Sequence, residues 1–208
     1  MKHILAIAAL LALGVAPQAA GQPLPPGSQT DQPFPIDRSG FALGVGLYVS
    51  GISIDTGATE ANEVGIGLQA DLSYGFTKTV AAFVNLSAAS MSPEDEGKNY
   101  ALGVADLGAR LHLYPSQTFN PYFQVALSGQ AAVFEVAGRS ENLEYRGGGV
   151  TLGVGAHYAL TPMADLDFSL DLTGGEFNEI RFNGNSRDDF NPYTSAIARL
   201  GIAIVYRP

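Results

Sequence analysis

The sequence predicts an all-β fold: an eight-stranded antiparallel up-and-down β-barrel that crosses a membrane. Three observations carry that prediction. From residue 40 onward, apolar residues recur at every second position in eight segments, the period of strands with one oily face. The connections between segments alternate short and long, as in a meander with all its long loops at one end. The face opposite the oily one is built from Gly, Ser, Asn and Gln with very few Lys or Glu. Such a face is a poor exterior for a soluble barrel, which needs many surface charges, and it suits a narrow packed interior.

The N-terminus places the chain outside the cytoplasm. Lys2 and His3 precede an uncharged apolar run of 12 residues, Ile4–Val15, and Ala19-Ala20-Gly21 supplies small residues at a cleavage position. This reads as a secretory signal peptide over 1–21, cut after Gly21; the run is too short for a spanning helix, which needs about 20 apolar residues. Residues 22–39 follow as a leader, with five of the chain's 12 prolines in Gln22–Arg38, so it is expected to be extended. Residues 40–208 form the barrel. The chain has no Cys, hence no disulfide framework, thiol nucleophile or thiolate metal site, and no lipid-attachment cysteine. Its net charge is -9, and loss of Lys2 takes the cations from 11 to 10 against 20 acids. That balance argues against nucleic acid, whose binders are basic.

The eight segments follow in order. Phe41–Gly51 sets Phe41, Leu43, Val45, Leu47 and Val49 on one face. Val64–Phe76 sets Val64, Ile66, Leu68, Leu72 and Tyr74 against Gln69, Asp71 and Ser73. Thr79–Ala89 sets Val80, Ala82, Val84 and Leu86 against Phe83, Asn85 and Ser87. In Tyr100–Tyr114, Ala105, Leu107, Ala109 and Leu111 oppose Asp106, Gly108, Arg110 and His112. Pro121–Val136 alternates Phe123, Val125 and Leu127 with Gln124, Ser128 and Gln130. Gly148–Leu160 alternates Val150, Leu152 and Val154 with Thr151, Gly153 and His157. The seventh, ADLDFSLDL (Ala164–Leu172), puts Asp165, Asp167, Ser169 and Asp171 on its polar face, and the eighth, Tyr193–Arg207, opposes Leu200, Ile202, Ile204 and Tyr206 to Ser195 and Arg199. Short turns follow the even segments at Thr77-Lys78, Pro115–Thr118 and Thr161–Met163. Long polar loops follow the odd ones at Ile52–Glu63, Ser90–Asn99, Ala137–Gly147 and Gly175–Pro192. Each segment is long enough for a transmembrane strand, about 9–11 residues.

Over residues 40–208 the chain resembles the small eight-stranded outer-membrane barrels of the outer membrane protein A type and the opacity type. The features that carry the likeness are the signal peptide followed by eight alternating strands, the passage GARLHLYPSQTFNPYFQVALSG, and the final strand ARLGIAIVYRP. None is a catalytic motif. The resemblance implies short turns in the periplasm and long loops outside the cell. One feature departs from it: such barrels commonly end on an aromatic residue read by the assembly machinery, whereas here Arg207-Pro208 follow Tyr206.

The candidate site is the lumen. Its face carries Asp71, Asp106, Asp165, Asp167 and Asp171 against Arg110 and Arg199, with His112 and His157. If Leu160 pairs with Ala164, His157 faces Asp167; if the last hairpin pairs Asp167 with Arg199, one carboxylate joins three strands. Two readings stay open: an ion-pair network that fixes register and plugs the lumen, or a narrow cation-preferring pore or proton-coupled gate, supported by the excess of carboxylates over arginines.

An enzyme is the other class to weigh. The resemblance brings in outer-membrane lipid-modifying enzymes and proteases, whose His-based sites face the outer leaflet or extracellular rim. His112 and His157 both fall at the short-turn end and neither has a Ser two residues on, so the chain is expected not to be an enzyme. The long loops are acidic, with Asp55, Glu60 and Glu63, then Glu94–Glu96, then Glu141 and Glu144. The fourth adds Phe177, Arg181, Phe182, Arg187 and Phe190, aromatics beside arginines that suit a partner surface. Neither Asn183–Asp189 nor Pro93–Gly97 has calcium-loop spacing, so neither metal nor cofactor is expected. The expected partners are outer-membrane lipid, lipopolysaccharide and an extracellular or host partner at the loops. The role is structural or adhesive, in a monomer.

Overall fold

In the computed structural model the described residues are 35–55, 60–93, 99–135, 142–182, 185–187 and 192–208. The expected signal peptide and most of the leader lie outside them. All regular structure among the described residues is β: β1 (Gly40–Asp55), β2 (Glu60–Gly75), β3 (Val80–Ser92), β4 (Tyr100–His112), β5 (Phe119–Glu135), β6 (Asn142–Thr161), β7 (Ala164–Phe182), β8 (Asn185–Arg187) and β9 (Tyr193–Tyr206). Every neighbour pairs antiparallel, in the order β6-β5-β4-β3-β2-β1-β9-β7, and β6 also pairs with β7. That last pairing closes an eight-stranded barrel and leaves it no free edge. β8 is a three-residue return that pairs with the end of β7.

The oily parity faces outward, as the alternation predicts. Leu68 and Leu127 are 67% and 70% exposed, and Phe41, Ile66, Leu107, Leu152 and Ile204 are likewise on the outside. In water such a surface would cost heavily; against acyl chains it is the stable exterior. The polar parity is buried.

Short turns are closed by side-chain caps. Thr77 Oγ1 accepts from the N–H groups of Thr79 (3.2 Å) and Val80 (3.0 Å), and Thr161 Oγ1 accepts from Met163 N–H at 3.2 Å, both local hydroxyl-to-backbone turns. Asn120 Oδ1 accepts from Tyr114 N–H at 2.9 Å across the Pro115–Thr118 turn.

At the other end the strands outrun the predicted loops. β1 continues to Asp55, β3 to Ser92 and β7 to Phe182, while β2 starts at Glu60 and β6 at Asn142. The segment Gly175–Pro192 is therefore barrel wall for its first eight residues rather than loop. Above the lipid band the oily residues change sides: Ile52, Met91, Leu102, Phe177 and Ile197 point inward and are buried. Outward positions there hold Glu144, Arg146 and Glu176.

Candidate functional site

The lumen is packed in successive levels, each assembled by register. At the short-turn mouth, Asp165 on β7 receives Arg207 from beyond β9 and lies 3.7 Å from Arg38 Nε, ahead of β1. His157 on β6 stands opposite Asp167, with Nδ1 3.5 Å from Asp167 Oδ1 and 3.9 Å from Asp165 Oδ2. The His112 ring lies 5.4 Å from that of His157, and its Nδ1 is 2.8 Å from Asn120 Nδ2.

One level deeper, Arg110 is the hub. Its Nη2 pairs with Asp71 Oδ2 at 3.2 Å and its Nε donates to Gln124 Oε1 at 3.0 Å. The guanidinium also sits over the rings of Phe83 (4.9 Å) and Tyr122 (4.6 Å), a cation–π arrangement worth most when desolvated. The Tyr122 hydroxyl donates to Asp167 Oδ1 at 3.0 Å, and Gln124 Nε2 donates to Asp171. Beside these groups is a void of about 10 Å³, room for a single water.

The third level is built on Arg199. Its Nη2 lies 2.8 Å from Asp106 Oδ2, and it donates to Ser87 (3.1 Å), Thr151 (3.4 Å) and Thr173 (3.3 Å). The Ser128 hydroxyl donates to Asp106 Oδ1 at 2.6 Å, with Thr151 behind it. Toward the long-loop end the filling turns apolar: Tyr48, Ile52, Met91, Tyr100, Leu102, Val104, Phe177 and Ile197 form a buried cluster. Tyr100 stacks on Phe134 at 4.3 Å between centroids.

Two expectations need correction. Asp167 does not face Arg199: in the observed register Ala164 pairs with Tyr206, so Asp167 meets Ala203 and Asp171 meets Arg199. The last hairpin is offset by four residues from that pairing. Phe177 is no loop aromatic; it is 1% exposed inside the barrel, because it sits on the inward parity of extended β7. Arg181 and Phe182 do lie near the loop end, Arg181 Nε pairing with Glu179 Oε1 at 2.8 Å. Arg187 ends β8, and Phe190 lies outside the described residues.

Sequence reasoning missed Arg38, Arg207 and Tyr122 as members of these levels, and it placed Gln124 on the inner face without a partner. Arg38 hid in a proline-rich leader and Arg207 in an apparent C-terminal anomaly. Counting them changes the charge balance: five lumen carboxylates now face four guanidiniums instead of two. Among the described residues no group of three or more His, Asp or Glu is placed to hold a metal. Both histidines are buried, at 3% and 0% exposure.

A closed antiparallel barrel, apolar outside and ionic within, defines an integral outer-membrane protein. The chain matches the family model for the outer membrane protein beta-barrel domain over residues 5–198 and belongs to that family. It is a protein of the outer membrane. Similar solved structures include Neisserial surface protein A, NspA (TM-score 0.60, 15% identity, covering 82% of this chain and 98% of that one). OprG from Pseudomonas aeruginosa is similar at TM-score 0.54 and 15% identity, over 82% and 97% of the two chains. Ail, the attachment invasion locus protein of Yersinia pestis, gives 0.51 and 12%, over 81% and 99%. At these identities the likeness is one of fold. No curated protein matches the sequence.

Proposed function

We propose that the protein is a non-conducting outer-membrane anchor whose long-loop end is an adhesion-type interaction surface, acting as a monomer and without catalysis. The observation that carries this reading is the filled lumen: inward side chains are buried through the charged levels and through the apolar cluster above them. A barrel of eight strands has an interior just wide enough for side chains, and here they occupy it. The pore reading loses most of its support, because Arg38 and Arg207 bring the guanidiniums to four against five carboxylates. Catalysis by His112 or His157 has no route for a substrate to either ring, and general base work requires such contact.

What remains open to solvent and partners is the extended end. The β6–β7 arm rises past the lipid band and carries the paired charges Glu144–Arg146 (2.7 Å) and Glu179–Arg181 (2.8 Å), with Phe182 37% exposed beside them. Paired charges near an exposed aromatic suit lipopolysaccharide headgroups at the outer leaflet and an extracellular partner beyond. Ail, an attachment invasion locus protein, shares this fold.

The test exchanges Arg146, Arg181 and Phe182 of the β6–β7 arm for alanine, leaving the lumen side chains untouched. Proteoliposomes of the wild type are expected to bind lipopolysaccharide-coated surfaces and cultured cells. The exchanged protein, still heat-modifiable on gels, is expected to lose the cell contact. Undiminished cell binding by the exchanged barrel would overturn the reading.

A further inference from the structure

Residues 35–39 precede the first strand, yet part of this segment lies inside the molecule. Gly40 has a φ of +87°, a left-handed conformation that costs glycine little and turns the chain sharply off the start of β1. The segment then crosses over Gly75, the partner of Gly40 at the end of β2. The Arg38 carbonyl approaches Gly75 so closely that a Cβ there would collide with it. Ile36 and Arg38 are buried at 8% and 2%, while Pro35, Asp37 and Ser39 are exposed. That is the alternation of an extended strip with one face turned inward. Ser39 tightens it locally: its N–H and its hydroxyl donate to Asp37 Oδ1 at 2.9 and 2.8 Å, which hold the Asp37 carboxyl below its usual range.

The Arg38 side chain spans the mouth. Its Nη1 donates to the carbonyls of Pro115 and Gln117 in the β4–β5 turn, the latter at 3.1 Å. Its Nε lies 3.7 Å from Asp165 Oδ2 on β7. Arg207, from the opposite end of the chain, bonds the same oxygen. One carboxylate therefore ties together the segment before the first strand and the segment after the last.

We propose that residues 35–39 are a strap that seals the short-turn mouth of the lumen, with Asp165 as its latch between Arg38 and Arg207. Surface ion pairs contribute little, but these side chains are 0% exposed for Arg38 and 5% for Asp165. Removing Asp165 leaves two arginines at the mouth without their carboxylate, and removing Arg38 leaves Asp165 with Arg207 alone. The strap gives a role to Arg207, which follows β9 and shares Asp165 with Arg38. The strap and the loops occupy opposite ends of the barrel, so failure of one reading leaves the other standing.

The chain contains no Cys, so a single introduced thiol reports on the strap directly. In detergent micelles, where both mouths meet solvent, Ile36→Cys is expected to react with a water-soluble maleimide about tenfold or more slowly than Asp37→Cys, the measure of a closed local structure. Combining Ile36→Cys with Arg38→Gln, or with Asp165→Asn, is expected to raise the rate to that of Asp37→Cys while the barrel keeps its folded gel mobility. Equal rates for Ile36→Cys and Asp37→Cys would overturn the strap. Protection that persists with Arg38→Gln would overturn it too, and because Arg38→Gln changes no strand residue, it decides the matter should Asp165→Asn fail to fold.

Discussion

Arg199 bonds to side chains on four other strands: Ser87 on β3, Asp106 on β4, Thr151 on β6 and Thr173 on β7. Its guanidinium is 3% exposed, so its attraction for Asp106 operates where water screens little. Arg199→Leu leaves Asp106 buried without its cation and is expected to destabilise the barrel by about 3–5 kcal/mol in urea unfolding. Adding Asp106→Leu is expected to restore most of that loss, since an apolar pair of similar volume can replace a buried ion pair; no recovery in the double variant would show that the hydroxyls, rather than the carboxylate, carry the contact. At this scale the sequence was informative about membership and poor on partners. Alternation alone placed Asp71, Asp106, Asp165, Asp167 and Asp171 on the inner face. Which arginine meets which aspartate depends on strand offset, and a four-residue slip in the last hairpin moved Arg199 from opposite Asp167 to opposite Asp171.

β7 shows how far periodicity reads at the scale of an element. In Ala164–Leu172 the oily residues face out, and the pattern is plain because lipid demands it. Beyond Gly174 the strand leaves the lipid band, the outward residue becomes Glu176 and the inward one Phe177. Two pairing shifts in the β6–β7 ladder, one between Arg146 and Gly147, further break the count. The inversion of polarity, superimposed on a bulge, made eight residues of barrel wall read as loop. Phe177→Ala is therefore expected to cost about 3–5 kcal/mol of stability in the same unfolding assay, as for a buried aromatic; a loss below about 0.5 kcal/mol, typical of surface sites, would return Phe177 to the loop surface. The same inversion recurs at Ile52, Met91 and Leu102, so the apolar upper lumen was hidden from a reading that took each strand to keep one oily parity throughout.

For the whole molecule, closure, strand number and outward polarity were all legible, because each is repeated eight times and errors in one segment are corrected by the rest. The state of the lumen was not legible. It turned on two arginines not counted among the lumen charges, Arg38 ahead of β1 and Arg207 at the end of the eighth segment, and on an apolar cluster visible only once the strands were known to extend. With those in place the inward side chains of the described strands are buried, which is what the proposed non-conducting role rests on. Single-channel recording of the folded protein in one planar bilayer tests that directly. No discrete openings are expected for either ion sign at moderate voltage, and sustained cation-selective openings from the wild-type chain would contradict the filled lumen.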